Sequence, residues 1–456
     1  MANNNTHNLD MLNGRLLPKL ISFAAPLALS GLLQLAFNAA DVIVVGRFVG
    51  PQALAAVGST GSLINLVVNF FLGLSVGVNV VASRNFGARN EKAVSETVHT
   101  AVLFAIVCGL FLVFLGEFAA RPLLVFMDSP EDVLPLSLVY LRYYFACIPF
   151  SMLYNFGSAI LRSVGDTKRP FYYLTAAGIL NVFLNLFFVL VFDMGVAGVA
   201  LATGISNALS AILVLWALTK EKGCLHLSLH DLKIHWAAAR QIVTIGFPAG
   251  LQSVFFNISN VLIQSSVNSF GSLVMAGNAA AQNVEGFYST CYSSISSAAI
   301  TFTSANLGAG KFSRIDRVRR TCMLADLGLC GCLSGIYLLF GRTFLQLYST
   351  DPEVIEIAMS RMMVFIIGYF TGSWMDVMSS MLRGLGKSIL PMIVTLCGTV
   401  VFRIIWIYTV FAATRSYTLL IWGYPISWTL SVAADLVCYG LVMKKLPKSD
   451  REVVIG

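Results

Sequence analysis

Pro26-Leu-Ala-Leu-Ser-Gly-Leu-Leu-Gln-Leu-Ala-Phe-Asn-Ala-Ala-Asp-Val-Ile-Val-Val-Gly46 is long and apolar enough to cross a bilayer, yet it contains a carboxylate. Gln34, Asn38 and Asp41 stand at i, i+4 and i+7, so a helix places them on one face. Every other residue of the run is apolar or small. A charge at the centre of the hydrocarbon costs about 3 kcal/mol or more and marks a pathway or a relay. Asp41 lies shortly before Arg47, where an acid at the outer interface would also lie. Such an interfacial acid needs no polar stripe leading to it, which favours the relay.

The composition extends this reading to the whole chain. Apolar residues make up 57% and charged residues 11%, and mean hydropathy is strongly positive. A soluble core cannot use that much apolar surface, whereas a bilayer can. The net charge of +8 does not indicate nucleic acid as a partner, because the basic residues are spread among loops on one side. Nine cysteines without CxxC or metal-ligand spacing read as apolar packing residues. The polar first eighteen residues hold no short apolar core with a cleavage site, so the first span is expected to be retained.

Apolar runs centred on 20–46, 53–83, 94–116, 134–160, 170–192, 196–218, 242–267, 274–305, 321–341, 354–382, 389–412 and 418–443 predict twelve membrane helices. With the N-terminus inside, 23 Lys and Arg residues fall in inner segments, against four in outer ones: Arg47, Arg121, Arg342 and Arg415. That bias predicts a multi-pass protein of the inner (plasma) membrane with both termini cytoplasmic. Arg142, Arg361 and Arg403 fall within spans or at their edges. The first two are expected to pair with acids or to snorkel.

The sequence repeats itself. Leu161-Arg162-x-Val-Gly165 and Pro170 return as Leu382-Arg383-x-Leu-Gly386 and Pro391, and Ser83-x-Asn85-x-Gly87-Ala88 returns as Ser304-x-Asn306-x-Gly308-Ala309. Ser129-Pro130-Glu131 and Asp351-Pro352-Glu353 each read as a capped helix start, and Pro26 is echoed by Pro248. Four pairs at a near-common offset argue for duplication. The expected architecture is an all-α integral membrane fold of twelve transmembrane helices in two parallel-repeat six-helix bundles. Residues 1–219 form the first, 220–240 a cytoplasmic linker along the inner surface, and 241–456 the second with a cytoplasmic tail. His226, His230 and His235 in the linker read as surface residues. An even number of helices per half gives both halves one orientation, with an axis along the membrane normal.

Polar stripes recur on both halves: Asn65 and Asn69; Asn181 and Asn185; Asn257, Asn260, Gln264 and Asn268; Asn278, Gln282 and Glu285; Asp376, Ser380 and Arg383. Any single amide can bond between helices; together they suggest the walls of a wet cavity. Asp41, Glu285 and Asp376 are the relay candidates, Asp326 is expected near the inner interface beside Arg320, and Asp435 is ambiguous. A buried carboxylate for which a proton and a cation compete is a physical basis for exchange. Gly386-Lys387-Ser388 lacks the upstream glycine of a phosphate loop, since position 381 is Met. No enzyme activity, ATP-driven step or cofactor is expected.

With the segment from Pro26 to Gly50, the Asn85-Phe-Gly-Ala loop and the repeated Leu-Arg-x-x-Gly motifs, the chain resembles the multidrug and toxic compound extrusion (MATE) family from about Asn13 to Leu446. The resemblance implies two six-helix bundles facing each other in a V, and exchange of H+ or Na+ for organic cations. Family members use the first-helix acid with polar groups of the fifth and sixth helices, positions that match Asp41, Asn181, Asn185 and Thr203. Some have a second acid where Asn185 stands, so the amide departs from their bending-helix proton mechanism. Others pair a seventh-helix Glu with a tenth-helix Asp. Asp376 matches the latter, while Asn257 stands near the place of the missing Glu. The resulting expectation is a monomeric antiporter of amphipathic, cationic drugs or toxic metabolites working by alternating access. Asp41, Asn181, Asn185 and Thr203 would couple the ion, with Na+ or H+ near Asp41. Gln34, Asn38, Asn257, Gln264, Gln282, Glu285 and Asp376 would line the substrate cavity. A flippase of a lipid-linked precursor is the alternative, and it would need a more basic cavity.

Overall fold

Hydrocarbon offers no partners to a backbone N–H or C=O, and the apolar runs meet this constraint by forming helices. The computed structural model describes residues 9–126, 130–447 and 449–450, with no strand among them. Twelve long helices follow one another: α1 (Leu16–Val49), α2 (Pro51–Gly87), α3 (Glu91–Phe126), α4 (Leu134–Ser163), α5 (Lys168–Leu190), α6 (Gly195–Lys220), α7 (Trp236–Asn268), α8 (Ser272–Gly308), α9 (Phe312–Gln346), α10 (Pro352–Gly384), α11 (Ile389–Thr414) and α12 (Tyr417–Lys444). Eleven are long and apolar enough to cross a membrane; the other, α8, falls short because serines, amides and tyrosines run along it. The last turn of α1, Val45–Val49, is π-helical, and α11 contains two π segments, Leu396–Val401 and Ile407–Phe411. Such distortions often accompany functional positions.

Packing divides the chain differently from the boundaries drawn at 219 and 241. One compact unit contains Leu29–Phe247, and the other contains Asp10–Ala28 together with the chain from Pro248 onward. The division therefore falls beside the paired prolines Pro26 and Pro248, inside α1 and α7. In the first unit, residues 221–235 do not simply span a gap. Leu225 and Leu227 are buried, the Ser228 amide donates to His99 Nε2 at 3.2 Å, and the His235 amide donates to Thr100 Oγ1 at 3.1 Å. Leu229 stays exposed.

In the second unit, the stretch before α1 is strapped to the ends of α8 and α9. Asn306 donates to the Met11 carbonyl, Lys311 to Leu12 O and Asn13 Oδ1, and Arg314 to the carbonyls of Asn13 and Gly14. Asp10 anchors the strap to Lys19 at 3.2 Å. Burial pushes the Asp10 carboxyl up, but the Leu12 amide and Lys19 outweigh it and leave the group below its ordinary range.

The repeated motifs are helix stops. Gly165 (φ 91°) and Gly386 (φ 75°) take left-handed conformations just past α4 and α10. This lets Asp166 N reach Leu161 O at 3.1 Å and Lys387 N reach Leu382 O at 2.9 Å. The Leu and the Gly of Leu-Arg-x-x-Gly are thus the acceptor and the hinge of one capping motif. The Asn-x-Gly-Ala repeat does the same: Asn90 N meets Asn85 O at 3.0 Å and Lys311 N meets Asn306 O at 2.9 Å, with Arg89 (φ 55°) and Gly310 (φ 70°) as the left-handed residues. The third echo is less symmetric. Asp351 caps α10 by accepting from Glu353 N at 2.9 Å. Ser129 lies outside the described residues, Glu131 begins a turn, and α4 starts only at Leu134.

A methyl group at Gly386 would meet no neighbour within 4 Å, so Gly386→Ala tests backbone strain alone. It should cost about 1–2 kcal/mol, measured as a lowered thermal midpoint in detergent, while Arg89→Gly should raise the midpoint.

Candidate functional site

The first unit builds its polar site on close helix approach. Gly178 of α5 sits where any side chain would overlap the ring of Phe37 on α1. Asn181 and Asn185 follow on the same face of α5, and Asp41 lies one turn beyond Phe37 on α1. The contact therefore brings the three polar groups together. The Asn185 side-chain N–H donates to Asp41 Oδ1 and, at 3.3 Å, to Asn181 Oδ1; Asn181 in turn donates to Thr203 Oγ1 of α6 at 3.3 Å. Thr203 also stands beside Asp41 and donates to its own helix at Val199 O. Asn181 and Asn185 are buried, Asp41 partly so. Asn185 Oδ1 is buried without a hydrogen-bond partner, which leaves one oxygen free next to the carboxylate. Tyr140 and Tyr144, one turn apart on α4, lie within electrostatic range of Asp41. The four coupling candidates thus form one cluster. Gln34 and Asn38, on the same stripe as Asp41, are exposed outside it.

The second unit contains two polar networks. In one, Arg361 of α10 grips Glu285 of α8 through both carboxylate oxygens, at 2.7 and 2.8 Å, and donates to Asn278 Oδ1 at 2.7 Å. Asn278 donates to Gln264 Oε1 of α7 at 2.9 Å, Gln282 reaches the same oxygen at 3.3 Å, and Tyr417 of α12 donates to Asn278 Oδ1. Glu285 is therefore an ion-pair partner, not a free relay acid. Arg361, 3% exposed, pairs inside the bundle, whereas Arg142 meets Glu117 at 3.0 Å with both groups half exposed.

Tyr424 joins this network to a second buried arginine. Its ring lies 5.3 Å from the Arg361 guanidinium carbon and 4.1 Å from that of Arg403. Arg403, between the π segments of α11, is completely buried. It donates to Ser427 Oγ, Ser259 Oγ and Asn260 Oδ1 at 2.9–3.2 Å, forms no ion pair among the described residues, and leaves Nη2 without a partner.

The other network gathers acids. Asp435 of α12 accepts from Ser379 at 2.8 Å. Asp376 lies beside Ser296 and within range of Arg383, which donates to Gln252 at 2.9 Å. Asp326, expected near the inner interface, is completely buried among the helices; neither oxygen completes a hydrogen bond, although Ser373 stands beside it. Asp326 and Asp435 both lie within electrostatic range of Asp376. Asn257 joins neither network and bonds to Ser253 O of its own helix. No group of three or more His, Cys, Asp or Glu residues suited to a metal occurs among the described residues.

The sequence profile of the MatE family matches residues 26–187 and again residues 248–409, well over half of the chain. The chain belongs to the MatE family. Both matched blocks begin at the paired prolines, so each is one copy of the duplication. The probable multidrug resistance protein YoeA of Bacillus subtilis is 27% identical over 431 residues, covering 93% of each chain. The FAD transporter of Shewanella oneidensis is 24% identical, covering 87% of this chain and 88% of its own. Among solved structures, an outward-facing multidrug resistance MATE family transporter of the MOP superfamily superposes with a TM-score of 0.90 at 20% identity, over 97% of this chain and 99% of its own. The MatE chain is thus a multi-pass membrane transporter by family, with small molecules as cargo and the bilayer as its surroundings.

Reading one helix at a time allowed Arg361 an acidic partner but did not name Glu285, and it missed the acid-free Arg403 and Tyr140 with Tyr144. The last pair carries an available signal, two tyrosines one turn apart. In this MatE protein, Glu285→Leu strands Arg361 in a low dielectric and should cost about 3–5 kcal/mol. Adding Arg361→Met should recover part of the loss. Unfolding midpoints in detergent test both, and a double variant no more stable than Glu285→Leu alone contradicts the reading.

Proposed function

We propose that the protein is a secondary antiporter that exports amphipathic, cationic small molecules in exchange for a proton or a sodium ion, with Asp41 as the coupling carboxylate. The observation that supports this most directly is the cluster of Asp41, Asn185, Asn181 and Thr203. It holds one carboxylate among neutral amide and hydroxyl groups, with no basic side chain hydrogen-bonded to it among the described residues. Its charge is therefore available to a mobile cation.

A proton binds there by neutralising Asp41. A sodium ion would take the Asp41 carboxylate with neighbouring oxygens, of which Asn185 Oδ1 is already free. Either ion competes with a cationic cargo for the same negative charge, and that competition couples the two fluxes. In the second bundle, Asp376, Asp326 and Asp435 outnumber Arg383, which supports cation binding there as well. Gln264 and Gln282 offer amide contacts to a passing substrate. The duplication into two halves supports alternating access, in which one half rocks against the other. The Lys and Arg bias supports cytoplasmic termini in the plasma membrane.

The test is efflux of a fluorescent organic cation from proteoliposomes under an imposed proton gradient and, separately, a sodium gradient. Wild-type protein should drive efflux with one of them, and Asp41→Asn should lose the driven component while retaining its fold. Undiminished driven efflux from Asp41→Asn removes Asp41 from the coupling role. Absence of driven flux in folded wild-type protein across several cations rejects the antiporter reading.

A further inference from the structure

The arginines at the start of α9 have no part in the sites described so far. A recess of about 590 Å³ lies between them and the first turn of α1, within the second unit. Arg15, Arg314, Arg317 and Arg320 line it, and no carboxylate does. The nearest acid on that turn, Asp316, is already shared between Arg319 at 2.9 Å and Arg320 at 2.8 Å. Arg15 and Arg317 form no ion pair among the described residues. Arg314 is fixed by its two bonds to the strap carbonyls, and its Nε is buried without a partner.

We propose that this recess binds the phosphate of an anionic phospholipid headgroup. The guanidiniums of Arg15 and Arg317, with no acid to hold them, and the fixed Arg314 beside them match the oxygens of a phosphate, to which arginine donates in a fixed fork. The positions of the apolar residues favour a lipid over the free ion. On α1, Leu17 and Ile21 are about half exposed, one turn apart and running away from the arginines. On α9, Leu324 lies one turn beyond Arg320 and is 67% exposed, with Leu327 following. Charge at the helix ends with bare apolar surface immediately beyond it is the profile of a headgroup and its acyl chains. Basic recesses between helices at a membrane face recognise lipid headgroups by this combination. A lipid seated here would lie beside the strap of residues 10–14 and brace the attachment of α1 to α9.

The experiment uses the purified full-length protein in detergent. Thermal midpoints are compared in mixed micelles with dioleoylphosphatidylglycerol, in mixed micelles with dioleoylphosphatidylcholine, and with inorganic phosphate alone. Native mass spectrometry counts the retained lipids. Wild-type protein should be stabilised by phosphatidylglycerol and retain it, with no comparable effect of phosphatidylcholine. The double variant Arg15→Gln with Arg317→Gln should lose both effects while keeping the wild-type midpoint in phosphatidylcholine. If the double variant folds poorly, Arg317→Lys and Arg317→Gln are compared, and only the lysine variant should still retain the lipid. Equal stabilisation by inorganic phosphate assigns the recess to the free ion and overturns the lipid proposal. Phosphatidylglycerol binding unchanged in the glutamine variants, or absent from the wild type, overturns the site.

Discussion

A polar group inside a bilayer finds its partner within the protein or goes without one, and the rest of this structure follows from that constraint. It makes the chain helical through every apolar run. It places the turns where a left-handed residue lets the final amides reach back to a carbonyl. It also draws amide, hydroxyl and charged side chains together into a few networks. Asn185 holds Asp41, Arg361 holds Glu285, and Ser379 holds Asp435. Among the described residues, some of the buried polar atoms that find no partner, Asn185 Oδ1, Arg403 Nη2 and both oxygens of Asp326, sit at or beside these networks. They are the places where the protein tolerates an unfavourable state that a mobile ion or ligand could relieve.

The duplication preserved the corners and changed the interior. Left-handed residues recur at Gly50 and Gly271, Arg89 and Gly310, Gly165 and Gly386, and Asp193 and Arg415. Backbone geometry at a turn restricts the residue severely, so these positions stayed in step. Side chains inside the bundles were free to diverge. The first unit keeps one acid, Asp41, among amides and hydroxyls. The second keeps an arginine–glutamate pair, an arginine with no acid, and three carboxylates near Arg383.

Much of this was legible in the sequence, because helix length, apolar runs and repeat spacing are local properties. The twelve helices and the duplicated halves could be read from them directly. The cluster at Asp41 was partly legible: the i, i+4 spacing put Asn181 and Asn185 on one face, while Thr203 came only through resemblance. The rest depends on partners far apart in the chain. Arg361 and Glu285 are 76 residues apart, and Arg403 and Ser259 are 144 apart. A helical stripe shows which face is polar, but not which stripe it meets. For that reason neither the ion pair of Glu285 nor the burial of Asp326 was legible in its own stripe.

Arg403 has a further consequence. A carboxylate can gain or lose its charge with a proton, but a guanidinium remains cationic in a protein. Tyr424, two serines and an amide hold Arg403 without supplying a negative charge. Arg403 is therefore a permanent positive charge within α11 that no proton gradient can switch off. Any change of charge in the interior of the second bundle falls to its carboxylates, Glu285, Asp376, Asp326 and Asp435, against a charge that stays fixed.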